Sequence, residues 1–207
     1  MRIRSRWVLL DQLSRGRFRT RVRSAERALY LTFDDGPHPR HTPDLLKLLA
    51  RYDARATFFM VGKSVVEHPD IAAQVAQAGH GIGNHSYSHA RQTKLRAEQR
   101  GTEVRRTDAI LQGVDGRETH PFRPPYGSIP LLTAASCLLG FTRIAHWSYD
   151  SLDHRGDPAD VIRRLSADPM RPGEVLLFHD DADTALQALS SLLPLWQQQG
   201  YSFKALP

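Results

Sequence analysis

Leu31-Thr32-Phe33-Asp34-Asp35-Gly36-Pro37 is the stretch whose reading decides the fold. With Ala28, Leu29 and Tyr30 before it, Leu31 and Phe33 complete a short apolar run of the kind that fills a buried parallel strand. The run stops at two adjacent carboxylates and a Gly-Pro breaker. In α/β folds the carboxyl ends of strands are where sites are built. Adjacent strand residues point to opposite faces, but a turn at the strand end lets both acids reach one cavity. Two carboxylates there are costly unless a positive group lies beside them. A metal ion meets that need, with one acid as ligand and the other free to act as base. The plainer alternative is a strand running into an Asp-Gly turn, so the rest of the chain has to decide.

Outward from this heptad, strands and helices alternate. Residues 42–52 read as a helix capped by Thr42, with Pro43 in its first turn. Strands are expected over 56–61, 81–84, 119–123, 141–147, 175–178 and 201–206. Helices are expected over 64–78 with an interruption at Pro69, 95–111, 130–139 closed by Gly140, 158–165 and 184–199. Such alternation implies a parallel sheet with right-handed crossovers. About seven βα units predict a closed or nearly closed barrel, smaller than the standard eight-unit one.

The chain has 207 residues, enough for one domain with a sizeable core, here assigned to 28–207. Formal net charge is +6, and much of the basic excess lies in residues 1–27, which read as an arm or short helix on the outside. Such an arm suits contact with an anionic surface. No basic stripe interleaved with aromatics follows it, so nucleic acid is not an expected partner. The early apolar run Trp7 to Leu10 is too short for a signal peptide, and no stretch reaches the length of a spanning helix. A cytoplasmic location is the resulting expectation. Cys137 is the one cysteine and reads as a buried thiol.

Five strand ends carry reactive polar residues: Asp34/Asp35, His85/His89, Arg123/Tyr126, Asp150/Asp153 and His179/Asp180. In a parallel barrel all five open on one face. The spacing of His85 and His89 would put both imidazoles on one side of a helical turn, a common way to hold a divalent ion. Two histidines and one carboxylate leave coordination positions for water and substrate, which marks a catalytic site. A guanidinium such as Arg123 can hold one aspartate and keep it ionised. An aspartate beside His179, from Asp150 or Asp153, would raise its pKa and suit it to donate a proton.

TFDDGP, NHSYSH, RPPYG, WSYDSLDH and LLFHD, in that order, resemble the five motifs of the polysaccharide deacetylases of carbohydrate esterase family 4, the NodB-homology domain. The resemblance covers residues 28–206, and the layout is closest to NodB-like chitooligosaccharide deacetylases. It implies a distorted (β/α)7 barrel that hydrolyses N-acetyl groups of glycans containing N-acetylglucosamine. By resemblance Asp34 is the general base. Asp35, His85 and His89 are ligands of a divalent metal, zinc first, with Co2+ or Ni2+ as alternatives. Arg123 orients the base, the Tyr126 N–H donates to an oxyanion, and Leu177 walls the acetyl pocket. His179 is the general acid, tuned by Asp150 or Asp153. The fourth motif usually closes Asp-x-x-Asp-Trp; here His154 follows Asp153, which changes an expected aromatic wall of the cleft. Alternative readings are a deacylase or deformylase of a lipid-linked or nucleotide-linked amino sugar, and an inactive glycan-binding module.

Overall fold

The computed structural model describes residues 5–14, 16–23, 25–139 and 143–207. β2 (Ala28–Asp34) is buried along its whole length and sets the register of the sheet. It pairs in parallel with β3 (Ala56–Met60) on one side and β7 (Val175–His179) on the other. β4 (Gly81–Asn84) extends the sheet beyond β3, and β6 (Tyr149–Asp150) extends it beyond β7. Past β4 the pairing continues through the parallel bridges Asn84–Phe122 and Phe122–Ile144. Ile144 belongs to β5 (Ile144–Ala145), which leads directly into β6. Parallel pairings therefore run from β6 through β7, β2, β3 and β4 to Phe122 and β5, and β5 is joined to β6 along the chain. The strand expected over 201–206 is shortened to β8 (Ser202–Phe203), which braces the base of β2 through Ala28 and Leu29.

The strand expected over 119–123 is reduced to the single bridge at Phe122. Pro121, Pro124 and Pro125 lack the N–H groups that a longer ladder requires. The strand expected over 141–147 begins outside the described residues, as does Gly140, and what is described is split into β5 and β6. Within the stretch expected to be an external arm, α1 (Ser5–Leu13) leads to β1 (Phe18–Arg19), which pairs with β5. Phe18 is buried with Cys137 and Ile144, and Trp7 stacks on it at 5.6 Å. That part of the stretch is thus built into the fold.

Helices cover the outer face: α2 (His41–Arg51), α3 (Gly62–Glu67), α4 (Pro69–Gln77), α5 (Ala97–Asp115), α6 (Leu131–Leu139), α7 (Pro158–Ala167) and α8 (Thr184–Gln198). Pro69 opens α4, so the expected interruption separates two helices. Alternation along β2 and β7 sends Leu31, Phe33, Leu176 and Phe178 outward, where they meet Leu45, Leu49 and Trp196. Phe33 stacks on Phe58 at 4.9 Å. Each such side chain contributes about 1.5–3 kcal/mol by leaving water. A register slip of one residue would turn this set inward, so burial fixes the register. The same alternation turns Thr32, Asp34, Leu177 and His179 inward. Among the described residues no helix is long and apolar enough to cross a membrane.

Candidate active site

The register that buries Phe33 also sets Asp34 directly beside His179 at the carboxyl rim. Asp34 is almost fully buried, and one oxygen, Oδ1, accepts a 2.7 Å bond from Arg123. The Arg123 guanidinium is wholly buried, and all three of its nitrogens donate. It also donates to Thr32 Oγ1 at 2.8 Å and to the carbonyls of Ala145 and His146, both at 3.0 Å. A buried guanidinium persists only when its donors are satisfied in this way. The other Asp34 oxygen, Oδ2, faces His85 Nε2 at 3.7 Å and is not held by the arginine.

Asp35 follows with φ of 81°, a left-handed turn that brings its carboxylate to the same side as Asp34. Its Oδ1 lies 3.3 Å from His85 Nε2 and 2.9 Å from His89 Nε2. Burial alone would raise the Asp35 pKa, but the two imidazoles outweigh it and hold the carboxyl well below the usual range. The Nδ1–H of His85 donates to the Arg123 carbonyl at 2.7 Å, since a carbonyl can only accept. That bond leaves Nε2 as the ring nitrogen that faces Asp35.

The two histidines do not meet across a helical turn, as their spacing suggested. Residues 85–89 form a loop in which Ser86 and His89 have φ of 67° and 57°. Glu103 on α5 holds that loop open by accepting from the Tyr87 and Ser88 N–H groups at 3.1 and 2.8 Å. Asn84 Oδ1 takes the Ser86 N–H at 2.9 Å. These side chains satisfy the N–H groups that a helical turn would have used.

On the opposite side, the His179 Nδ1–H donates to Asp153 Oδ1 at 2.8 Å, and the His179 backbone N–H donates to Asp153 Oδ2 at 2.8 Å. Ser151 Oγ donates to the same carboxylate at 2.8 Å. Asp153 is therefore the partner of His179. Asp150, the other candidate, turns an oxygen to the Leu152 N–H at 2.9 Å and shapes the turn that delivers Asp153. Burial would lower the His179 pKa, but Asp153, with the more distant Asp34 and Asp35, pushes it up to about 10. Leu177, two residues earlier on β7, is buried on the same inward face.

Two rim residues complete the cleft. Tyr126 is exposed, with φ of 59° in the turn Pro125–Gly127; its ring lies 4.7 Å from that of His89 and under the Arg91 guanidinium. His154 is exposed and stands edge-on to His179, with ring centroids 5.5 Å apart.

The sequence reading left the supporting roles of some residues unassigned. Thr42 does not cap α2 but lies inside it, where its hydroxyl donates to Asp180 Oδ2 at 2.6 Å. Asp180 is buried beneath the loop bearing Asp35; burial pushes its carboxyl up to about 7. A Cβ on Gly36 would overlap that carboxylate, so the Asp-Gly pair has a packing reason as well as a turn reason. A carboxylate directly after His179 was the available signal. Nothing in the sequence marked Thr32 or Glu103.

Comparison with known proteins agrees with this geometry. The family model described as polysaccharide deacetylase matches residues 21–143. A peptidoglycan-N-acetylglucosamine deacetylase of Bacillus cereus is 34% identical over 181 residues, spanning 86% of this chain and 66% of that protein. A chitooligosaccharide deacetylase of Azorhizobium caulinodans is 31% identical over 204 residues, spanning 90% of this chain and 96% of that one. The crystal structure of the Bc1960 peptidoglycan N-acetylglucosamine deacetylase superposes with a TM-score of 0.84 at 30% identity, covering 91% of this chain and 90% of that one. With a parallel fold whose rim carries the five motifs in order, the chain belongs to the polysaccharide deacetylase family, hydrolases of the N-acetyl amide bond.

Proposed function

We propose that the chain removes acetyl groups from N-acetylglucosamine units of an oligo- or polysaccharide, with a divalent cation held by Asp35, His85 and His89. The observation that carries this reading is the buried Asp35 Oδ1. It receives no hydrogen bond among the described residues and lies between two imidazole Nε2 atoms. Two imidazoles and a carboxylate with open positions suit zinc, and Co2+ or Ni2+ fit the same donors. When bound, the cation supplies Lewis acidity to the acetyl carbonyl and to the attacking water.

The remaining steps belong to the chain's own side chains. Asp34 accepts the water's proton at Oδ2, while Arg123 keeps Oδ1 occupied. The Tyr126 N–H donates to the oxyanion of the tetrahedral intermediate. Leu177 walls the pocket for the acetyl methyl. His179, held protonated and oriented by Asp153, gives its proton to the departing amine as the C–N bond breaks. Acetate and a glucosamine unit leave.

Acetate release tests this reading. Zinc-loaded protein is incubated with N-acetylated chitin oligomers and with peptidoglycan fragments. Release from either, abolished by a chelator and restored by zinc, is expected. No acetate from any member of the panel, with the cation bound, would leave the glycan-binding module as the better description.

A further inference from the structure

We propose that the flank formed by α1, α6 and the arginine-lined groove beside α6 docks on an anionic lipid bilayer. The proposal does not depend on the deacetylase reading, because none of its residues lies in the cleft.

Among the described residues nine large hydrophobic side chains are exposed; three lie on α1 and four on α6. On α6 these are Leu131, Leu132, Leu138 and Leu139, with 86%, 64%, 46% and 73% of their surface in water. Cys137 turns the other side of the same helix into the small buried cluster with Phe18 and Ile144. Leu131 and Leu138 are two turns apart, as are Leu132 and Leu139, so the four make one outward strip. Trp7 and Leu10 of α1 pack on the same cluster, which places the exposed Leu9 and Leu13 on the neighbouring helix. Single exposed leucines are ordinary, but a strip of them is a contact surface.

Cations adjoin this strip. A groove of about 810 Å³ between α5 and α6 is lined by Arg17, Arg100, Arg105, Arg117 and Arg143, together with Leu132 itself. The acid in that lining, Asp108, is tied to His120 and Asn84. Arg105 and Arg143 have no carboxylate partner among the described residues, although Arg117 is paired with Asp115. The groove descends to Thr57 and Gly81 at the amino-terminal side of the sheet, whereas the cleft opens at the carboxyl ends.

Apolar side chains and the guanidinium groups of Arg105 and Arg143 on one surface match a bilayer boundary. Leucines enter the acyl region while arginines take lipid phosphates. A soluble polyanion would engage the arginines and leave the leucines in water. A second copy would bring two sets of arginines together and repel. Docking on the flank leaves the cleft open beside the membrane.

Co-sedimentation of the full chain with vesicles tests this. Binding is expected to vesicles of phosphatidylcholine mixed with phosphatidylglycerol, and not to phosphatidylcholine alone, and to fall as salt rises. Arg105→Gln with Arg143→Gln should weaken it roughly 25-fold, at about fivefold per arginine. Leu131→Ser with Leu139→Ser should also weaken it. Both pairs are at exposed positions, so thermal unfolding and acetate release from soluble oligomers should be unchanged in both. Wild-type protein that ignores anionic vesicles would overturn the proposal. So would undiminished binding by the leucine variant with competition by inorganic polyphosphate, which would mark a soluble polyanion. A dimer in light scattering that the leucine variant dissolves would overturn it in favour of a second copy.

Discussion

Two clusters on one rim each hold an aspartate and two histidines: Asp35 with His85 and His89, and Asp153 with His154 and His179. In each, candidate donor atoms lie within 4.8 Å of one another. They are nonetheless built for opposite tasks, and the difference lies in what receives the Nδ1 proton. His85 gives its proton to a backbone carbonyl, which is neutral and leaves Nε2 as a lone-pair donor. His179 gives its proton to a carboxylate that also takes the His179 backbone N–H, and that negative partner holds the ring in its protonated form. Asp35 keeps a buried oxygen without a hydrogen bond, ready for a cation, whereas Asp153 receives hydrogen bonds on both oxygens. One cluster offers electron pairs and the other offers a proton. Arg123 links the two halves, because it fixes Asp34 between them.

The largest effect should come from the residue between the clusters. Asp34→Asn should lower kcat by about 10²–10⁴ while metal content stays at the wild-type value. If the ion is lost instead, Asp34 belongs to the cation cluster and the division of labour is wrong. Arg123→Met leaves Asp34 buried without its partner and should cost about 3–5 kcal/mol in denaturant unfolding. A cost near zero would mean that Asp34 does not rely on that guanidinium.

Asp153→Asn sharpens the comparison through pH. His179 is raised from its ordinary 6.5 to about 10, so its pairing stabilises the fold fully below 6.5 and is lost as pH rises through about 10. A general acid works in its protonated form, so the alkaline limb of kcat/KM follows the same group. Removing the carboxylate leaves burial to lower the pKa, and the limb should move to lower pH. A bound cation nearby pulls the wild-type limb below 10 without changing the sign. An alkaline limb unmoved in Asp153→Asn would dissociate that aspartate from the acid. The smallest effect concerns His154. His154→Trp should shift preference toward plain N-acetylglucosamine oligomers over bulkier or charged acceptors by about 1–3 kcal/mol, read as a ratio of kcat/KM. An equal ratio in both proteins would make the rim position neutral.

Much of this was legible in the chain. Apolar runs located β2, β3 and β7 to within a residue or two, because buried strands leave an unbroken hydrophobic signature. The two candidate ligands His85 and His89 were visible from spacing, yet for the wrong local reason. Their loop depends on Glu103 reaching across from α5, a contact that no local pattern encodes. The choice between Asp150 and Asp153 was also closed to sequence. It rests on Leu152 turning at φ of 59° so that Asp153, not Asp150, faces β7. Net charge described residues 1–27 as an arm and hid Phe18, whose burial follows from pairing with β5.

The division between the clusters is tested most directly by metal content. Zinc per chain is measured by elemental analysis after dialysis for wild type, for His85→Ala with His89→Ala, and for His179→Ala with His154→Ala. The account predicts about one ion per chain in wild type and in the His179/His154 variant, and none in the His85/His89 variant. Zinc retained without His85 and His89, or lost without His179 and His154, would contradict it.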